Sequence, residues 1–145
     1  ACEDAESMAS VENQDLDSLI AAAFAAREHS HAPFSKFRVG VALEDHERRI
    51  YSGCNIENAT YGLTLCAERL AVFKAISEGA HSFRRMVIAA DTAVLTPPCG
   101  ACRQILWEFC GDLPLILVNL QNAREIFQLK DLFPRPFDGS FLSDH

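Results

Sequence analysis

Apolar and polar residues recur with recognisable periods along the first half of the chain. From Asp15 to Ser30 the apolar residues have helical spacing, which predicts a helix capped by Asp15 and ended by Pro33. The stretch FRVGVAL, residues 37–43, alternates as a strand does, and RRIYSGCNIEN, residues 48–58, is typical of a second strand. Because the connection EDHER is short, we expect the two strands to pair as an antiparallel hairpin.

The second half of the chain alternates helices with apolar strands. TLCAERLAVFKAISEGA predicts a helix that Gly79 ends, and CGACRQILWEFCG predicts another that Gly111 ends. The apolar runs RRMVIAAD and PLILVNL flank the second helix and are typical of buried strands, so a parallel crossover should connect them. REIFQL follows too closely for a crossover, which predicts a last strand antiparallel to its predecessor. KDLFPRPF predicts a short helix that continues into a Pro-rich tail.

These elements predict an α/β fold with three layers, in which a mixed sheet of five strands has helices on both faces. A chain of 145 residues is long enough for one domain with a substantial core. The acidic segment 1–14 predicts a mobile tail before a single domain over residues 15–145. No apolar run approaches the ~20 residues of a membrane span, and the N-terminal segment lacks the apolar core of a signal peptide. We therefore expect no membrane partner.

Composition narrows the kind of partner and the compartment. The net charge of -7 argues against a nucleic-acid polymer as partner, because such partners select for a basic surface. A small neutral ligand is favoured instead. Six cysteines in a chain of this size, without an export signal, favour reduced thiols in the cytoplasm over a disulfide scaffold. Clustered cysteines are therefore interpreted as metal-binding or catalytic.

Cysteines at two predicted helix starts form a candidate metal site. Cys99 and Cys102 are three residues apart at the start of a helix that follows two prolines, so both sulfurs lie on one face. The helix N-terminus favours the thiolate that a metal requires. Cys66 also begins a helix, and the two helix starts can face each other with an ion between them. Three thiolates with an open fourth position match a catalytic zinc site.

Two other interpretations of these cysteines remain open from the residues alone. A redox pair in a thioredoxin-like unit also begins a helix. A structural zinc site would instead be closed by a fourth ligand, for which Cys54, Cys110 and Cys2 are candidates. Those three positions lie in an apolar strand, at a helix end and in the N-terminal segment. Cysteines in such places are more often packing or incidental residues.

Glu68 is the candidate catalytic residue. It follows Cys66 by two positions, so the two side chains point in different directions from the helix and Glu68 is not expected to be a ligand. It is close enough to act as general base on a water activated by zinc. The alternative is an acidic residue that stabilises the positive end of the helix dipole. The matching cysteines at the second helix start favour the general base.

CAE at residues 66–68 and PCGAC at residues 98–102 resemble the zinc-dependent cytidine deaminases, of the tetrameric class with three cysteine ligands. The resemblance runs from about residue 30 to residue 137 through FSKFRVGVAL, GCNIENATYG, CAERLAVFKAISEG and PCGACRQ, in the family's order. It implies the α-β-α fold of that family, one zinc ion per chain and hydrolytic deamination of cytidine and 2′-deoxycytidine in cytoplasmic pyrimidine salvage. It also implies a homotetramer with shared active sites.

The resemblance further implies roles for residues at the metal. Cys66, Cys99 and Cys102 would bind zinc, and Glu68 would carry protons from water to the substrate. Arg69 would donate hydrogen bonds to the ligand sulfurs and so moderate the negative charge of the thiolates. A salt bridge on the helix surface is the alternative for Arg69.

Roles in substrate binding are implied in the same way. Asn55 and Glu57 would bind the ribose 3′-hydroxyl, and Phe37 would line the pyrimidine pocket. The backbone N–H groups of Ala67 and Cys66 would lie near the base carbonyl and the attacking oxygen. A cytosine-bearing antibiotic nucleoside is a rival substrate, although NIEN favours an ordinary ribose. Residues lent to a neighbouring subunit's pocket would be Ala59, Tyr61 and Phe137, for which a chance surface aromatic is the alternative at the last position.

Overall fold

One sheet of five strands organises the computed structural model, which describes the backbone of residues 2–143 and the side chains of residues 12–143. Helices pack around it, and short 3-10 turns lie at Tyr61–Leu63 and Gly139–Leu142. In chain order the elements are α1 (Cys2–Arg27), β1 (Val39–Asp45), β2 (Ile50–Cys54), α2 (Ala67–Ser77), β3 (Phe83–Ala90), α3 (Gly100–Cys110), β4 (Pro114–Val118), β5 (Arg124–Gln128) and α4 (Leu129–Leu132).

The sheet has the strand order β2-β1-β3-β4-β5 and is mixed. β1 pairs antiparallel with β2 and with β3, so the predicted hairpin is confirmed. β3 and β4 are parallel and joined through α3, as the crossover prediction requires. β5 returns antiparallel to β4. All three pairings predicted from connection lengths are therefore present.

Helices cover both faces of this sheet and enclose two cores. One core lies between the sheet and the pair α2 and α3, and includes Val72, Leu106 and Ile88. The other lies under α1 and includes Leu19 and Val87. All seven residues of β1 are buried, although the sequence alternates, because this central strand is covered on both sides. The predicted three-layer α/β fold is confirmed.

The first helix is longer than the sequence pattern predicts. Asp15 is not its cap, because α1 begins at Cys2 and Asp15 lies inside it, in an ion pair with Arg48. The segment before Asp15 contains no Gly or Pro that would interrupt a helix. The helix ends at Arg27, six residues before Pro33. A domain boundary at residue 14, with a mobile tail before it, stays a prediction, and residue 1 lies outside the described residues.

Two glycines allow helices to approach the sheet closely. A Cβ on Gly40 would lie 2.1 Å from the carbonyl oxygen of Ala23 in α1. A Cβ on Gly53 would lie 2.5 Å from the carbonyl oxygen of Ala67 and 2.8 Å from the backbone nitrogen of Ala71. The start of α2 therefore sits where it does because β2 has no side chain at residue 53.

The chain after α4 folds back over α3. The predicted terminal helix is limited to Leu129–Leu132, since Pro134 follows and disfavours helical backbone in the residue before it. The Trp107 indole N–H donates to Asp138 Oδ2 at 3.0 Å and so ties the tail to α3. Among the helices of the described residues, none has the length and apolarity that crossing a membrane requires.

Candidate metal centre and substrate pocket

The starts of α2 and α3 bring three sulfurs together. Cys66 and Cys99 are the N-cap residues of these helices, both with extended backbone, and neither side chain caps its own helix. Cys102 lies in the first turn of α3 and is completely buried. The three Sγ atoms lie within 4.8 Å of one another, and those of Cys66 and Cys99 are 3.9 Å apart. The convergence predicted from two helix starts is present.

This cluster fits a zinc ion. Tetrahedral zinc with Zn–S bonds of about 2.3 Å separates its sulfur ligands by roughly 3.8 Å, close to the observed 3.9 Å between Cys66 and Cys99. Three thiolates are the soft donor set that zinc accepts readily. Among the side chains of residues 12–143, Cys54 and Cys110 do not join the group, so neither supplies the fourth ligand of a closed site. The side chain of Cys2 lies outside the described residues.

Hydrogen bonding at the cluster stabilises a thiolate on Cys66. Hydrogen bonds from the Cys102 thiol and the Arg69 guanidinium lower the pKa of Cys66 to about 5. The same hydrogen bond to Cys66, together with burial, raises the pKa of Cys102. At neutral pH Cys66 is therefore a thiolate, while Cys102 keeps its proton. A metal cation would draw the remaining protons off the cluster, because only thiolates bind zinc.

Arg69 contacts the sulfur cluster at Cys66, and its side chain forms no salt bridge with any described residue. Its Nη2 donates to Cys66 Sγ at 3.3 Å and to the carbonyl oxygen of Thr64 at 3.3 Å. Its Nε is buried and has no hydrogen-bond partner among the described residues. The guanidinium thus places positive charge against the Cys66 sulfur.

Glu68 is buried beside the sulfurs. The residue is only 6% exposed, and its Oε2 lies 3.6 Å from Cys102 Sγ. Burial, followed by the negative charge of Cys66, raises the pKa of Glu68 to about 7. A residue that served only the helix dipole would be expected at the surface with a lowered pKa. Glu68 can instead hold a proton near neutral pH and release it, as a general acid–base residue must.

A cavity of about 180 Å³ opens at the sulfurs. Phe37, Asn55, Ala67 and Glu68 form part of its wall, while their roles in substrate binding and catalysis stay predictions. Ala67 is the first residue of α2, where backbone N–H groups have no partner within the helix. The remaining lining residues are Val39, Thr64, Leu65, Cys66, Thr96, Pro97 and Cys99.

Glu57 lines a second cavity. This cavity of about 400 Å³ is formed with Phe34, Ser35 and Tyr61, and it shares Thr64 with the cavity at the sulfurs. Glu57 Oε1 accepts hydrogen bonds from the backbone N–H groups of Phe34 at 2.9 Å and Ser35 at 3.1 Å. Hydrogen bonding, above all from the Ser35 hydroxyl, lowers the pKa of Glu57. The predicted partners Asn55 and Glu57 are therefore divided between two adjoining cavities.

Asn55 holds the loop that carries Phe37. Its Nδ2 donates to the carbonyl oxygen of Phe37 at 2.6 Å, and its Oδ1 accepts from the backbone N–H of Val39 at 2.9 Å. Together with Glu57 it binds the backbone of residues 34–39 from one side. Phe37, on this loop, is 40% exposed and forms part of the cavity wall. The two polar residues thus fix the aromatic wall of the pocket as well as being candidates for sugar contacts.

Three predicted substrate residues lie outside the cavity at the sulfurs. Ala59 is exposed, and Tyr61 is 74% exposed and makes an edge contact with Phe34 at a centroid distance of 5.8 Å. Phe137 is 56% exposed and stacks on Phe141 at 5.5 Å. Within one chain, none of the three completes this cavity.

A buried amide that the sequence analysis missed positions the loop before Cys99. Asn119 follows β4, and its Oδ1 accepts from two N–H groups of the β4–β5 turn. Its Nδ2 donates to the carbonyl oxygen of Thr92 at 2.9 Å, and the Thr92 hydroxyl bonds that of Thr96 at 2.8 Å. Thr96 lines the cavity. The available signal was an Asn directly after an apolar strand, which indicates a turn but not its contact with another loop.

The fold and the site together define a class: an α/β protein with three cysteines that can hold a metal ion at two helix starts and a buried carboxylate beside them. Comparison with known proteins gives the family. A family model described as the cytidine and deoxycytidylate deaminase zinc-binding region matches residues 13–115. The chain belongs to this family.

Similar proteins include two bacterial cytidine deaminases. That of Sporosarcina psychrophila is 47% identical over 130 residues, which cover 89% of this chain and 96% of that protein. That of Halalkalibacterium halodurans is 44% identical over 131 residues, which cover 90% and 99% of the two chains. The crystal structure of cytidine deaminase from Burkholderia pseudomallei matches with a TM-score of 0.81 at 41% identity, covering 83% of this chain and 98% of that one.

Proposed function

We propose that this protein is a zinc-dependent cytidine deaminase, which hydrolyses cytidine and 2′-deoxycytidine to uridine and 2′-deoxyuridine with release of ammonia. The observation that carries the proposal is the buried Glu68 carboxylate, 3.6 Å from Cys102 within a cluster of three sulfurs. A structural zinc module has no use for a buried acid–base residue, and tightly held zinc would exclude a redox pair. The membership of the family and the names of the similar proteins support the same reaction.

The metal would be held by Cys66, Cys99 and Cys102. Zinc bound there would act as a Lewis acid that activates water for attack on a carbon. The negative charge of three thiolates weakens the metal as a Lewis acid. Arg69 would moderate that charge through its contact with Cys66.

Glu68 would carry the protons of the reaction. It takes a proton from the attacking water and delivers it to ring N3, which makes C4 of the pyrimidine more electrophilic. As the oxygen adds to C4, Glu68 is left free to take the remaining proton of that hydroxyl. It passes this second proton to the amino group at C4, which leaves as ammonia while the C4 carbonyl forms. Burial raises the pKa of Glu68 above that of an exposed carboxyl, so the residue can accept a proton from water and still pass it on.

The pocket would bind a nucleoside through groups on three elements. Phe37 would lie against the pyrimidine, and the N–H groups at Cys66 and Ala67 would face polar atoms of the base. Asn55 and Glu57 would meet the ribose hydroxyl from the two adjoining cavities. The Asn55 amide has a second N–H beyond the one that bonds the Phe37 carbonyl, and Glu57 Oε2 accepts from the Ser35 hydroxyl with a lone pair to spare.

The cavity at the sulfurs would be completed by another subunit. The exposed aromatics Tyr61 and Phe137, together with Ala59, do not reach it within one chain. Each ring lies against a second exposed ring, Phe34 beside Tyr61 and Phe141 beside Phe137. Contiguous exposed apolar surface, unlike a single exposed residue, is typical of an interaction site. We therefore propose a homotetramer in which these residues are contributed to a neighbouring pocket, acting in pyrimidine salvage in the cytoplasm.

The test is turnover measured by ultraviolet absorbance on cytidine, 2′-deoxycytidine, cytidine 5′-monophosphate and free cytosine, with zinc determined in the same sample. We expect both nucleosides to be deaminated. Cytosine should be a very poor substrate, because polar groups placed for a sugar hydroxyl are then left unpaired. The phosphate should be disfavoured in a protein of net charge -7. Zinc-loaded protein that leaves both nucleosides unchanged would refute the proposal, and a preference for the monophosphate would reassign the substrate.

A further inference from the structure

Side chains of α3 form hydrogen bonds with the C-terminal segment, defined here as residues 132–138. Arg103 Nη1 donates to the carbonyl oxygen of Leu132 at 2.5 Å. Gln104 Nε2 donates to the carbonyl oxygen of Phe137 at 2.8 Å, and Trp107 donates to Asp138 as described above. The helix that begins at two of the sulfurs therefore also fixes the segment that carries Phe137.

Arg103 has a second contact, at the metal end of the same helix. Its Nε donates to the carbonyl oxygen of Pro98 at 2.8 Å. Pro98 is buried and directly precedes Cys99. One guanidinium thus joins the residue before the first α3 sulfur to the end of α4. No described carboxylate forms an ion pair with it, so both of its observed hydrogen bonds go to backbone carbonyls.

We propose that Arg103 is a positioning residue through which zinc binding and the order of the C-terminal segment depend on each other. The position of Cys99 Sγ relative to Cys102 Sγ follows from the direction in which the chain enters α3, and Arg103 fixes that direction at Pro98. Leu132 ends α4, where carbonyl groups have no partner within the helix. The proposal rests on the zinc ligands of the proposed function.

The geometry of the guanidinium explains why one residue can serve both ends. Its N–H donors lie in one rigid plane. A shift of the Pro98 carbonyl bonded to Nε therefore also moves Nη1, which bonds the Leu132 carbonyl. Two linked equilibria affect each other equally. If order in the C-terminal segment increases zinc affinity, zinc binding stabilises the ordered segment by the same free energy. Lysine keeps the charge but presents a point donor on a flexible stem, so it satisfies one carbonyl at a time.

The first experiment uses the parent protein. Hydrogen–deuterium exchange is measured with zinc bound and after its removal by a chelator. Removal should speed exchange of backbone amides in residues 132–138, while β4, at residues 114–118, serves as the control and should not change. An unchanged C-terminal segment would overturn the proposal, and so would an equal acceleration in β4, which indicates general loosening.

The second experiment compares Arg103→Lys with Arg124→Lys, a partly exposed arginine on β5. Zinc affinity is measured by competition with a coloured chelator, and the absorption bands of the Co²⁺-substituted protein report the geometry of the sulfurs. Replacing residues that support ligands typically weakens metal affinity by about 10–100-fold, and we expect Arg103→Lys to fall in that range with altered Co²⁺ bands. Arg124→Lys should stay within about twofold. Arg103→Lys with the parent's affinity and bands would overturn the proposal.

A third variant separates this route from contacts between subunits. Phe137→Ala removes the exposed ring but leaves the backbone carbonyl that Gln104 holds. The response of residues 132–138 to zinc removal should persist in it, and its loss would assign the effect to the subunit interface instead. None of these measurements uses turnover. Zinc-loaded protein without deaminase activity would therefore refute the proposed function and leave the role of Arg103 to be decided by exchange and affinity.

Discussion

Gly53→Ala should damage the metal centre from outside it. Gly53 lies in β2 and does not line the cavity at the sulfurs. An added Cβ would meet the Ala67 carbonyl oxygen at 2.5 Å, about 0.9 Å short of the 3.4 Å at which ordinary contact begins. Both close atoms belong to the backbone of α2, so no side chain can turn away to make room. The first turn of α2, with Cys66 and Glu68, must move by a comparable distance.

The expected magnitudes follow from that displacement. Overpacking of a core costs about 1–3 kcal/mol of unfolding free energy, and a misplacement of about 1 Å at reacting groups can cost about 10²-fold in rate. We therefore expect a lower thermal midpoint and a loss of kcat/KM on cytidine approaching a hundredfold. Purified variant and parent should be compared by calorimetry, zinc analysis and steady-state kinetics.

The matched control is Gly100→Ala, which lies between the two cysteines of α3. Within the chain, nothing described lies within 4 Å of a Cβ added there, and the helix gains from the replacement of glycine by alanine. It should retain zinc and most of the activity although it is far closer to the metal ligands in sequence. If Gly53→Ala matched the parent in activity and thermal midpoint, or if Gly100→Ala were the more damaged, the steric reasoning would be wrong.

The remaining predictions concern the site directly. Cys99→Ala should lose zinc and all turnover, as measured by metal analysis, and full zinc occupancy in it would exclude the ligand assignment. Glu68→Ala should keep zinc and fold but lose at least about 10²–10⁴ in rate; activity within tenfold of the parent would leave Glu68 only its helix-dipole role. Truncation after Pro134 should raise KM for cytidine markedly because Phe137 is removed, and at saturating metal zinc should stay bound because the three cysteines and the Leu132 carbonyl held by Arg103 are retained. Sedimentation should show a tetramer, and a fully active monomer would contradict shared sites.

The elements of the fold were predictable because each depends on local pattern and connection length. Gly79 and Gly111 have positive φ just beyond α2 and α3, as helix-ending glycines require. The direction of β5 followed from the short link after β4. The start of α1 was not predicted correctly, because an Asp can either cap a helix or sit inside one. Only the residues before Asp15 decide between these, and they contain no helix breaker.

The site was predictable to the extent that its residues begin helices. Cys66 and Cys99 were expected to face each other since both open a helix after a strand, and their Sγ atoms are 3.9 Å apart. The burial of Glu68 did not follow from its place in the sequence, because a first-turn acid is usually exposed. The depth of the α2 start depends on its contact with Gly53, which belongs to another element.

The residues that sequence reasoning missed share one physical property: they bond backbone carbonyls of distant segments. Asn119 supports the loop at Thr92, and Arg103 supports the entry to α3 at Pro98. Carbonyl groups are present at every residue, so no side-chain pattern marks which one will be bound. The chemistry of a metal site can thus be inferred from the spacing of its ligands, whereas the supports that hold those ligands at working distance depend on tertiary contacts. We therefore expect the placement of the three sulfurs and Glu68 to depend on residues such as Gly53, Asn119 and Arg103, which carry no chemistry of their own.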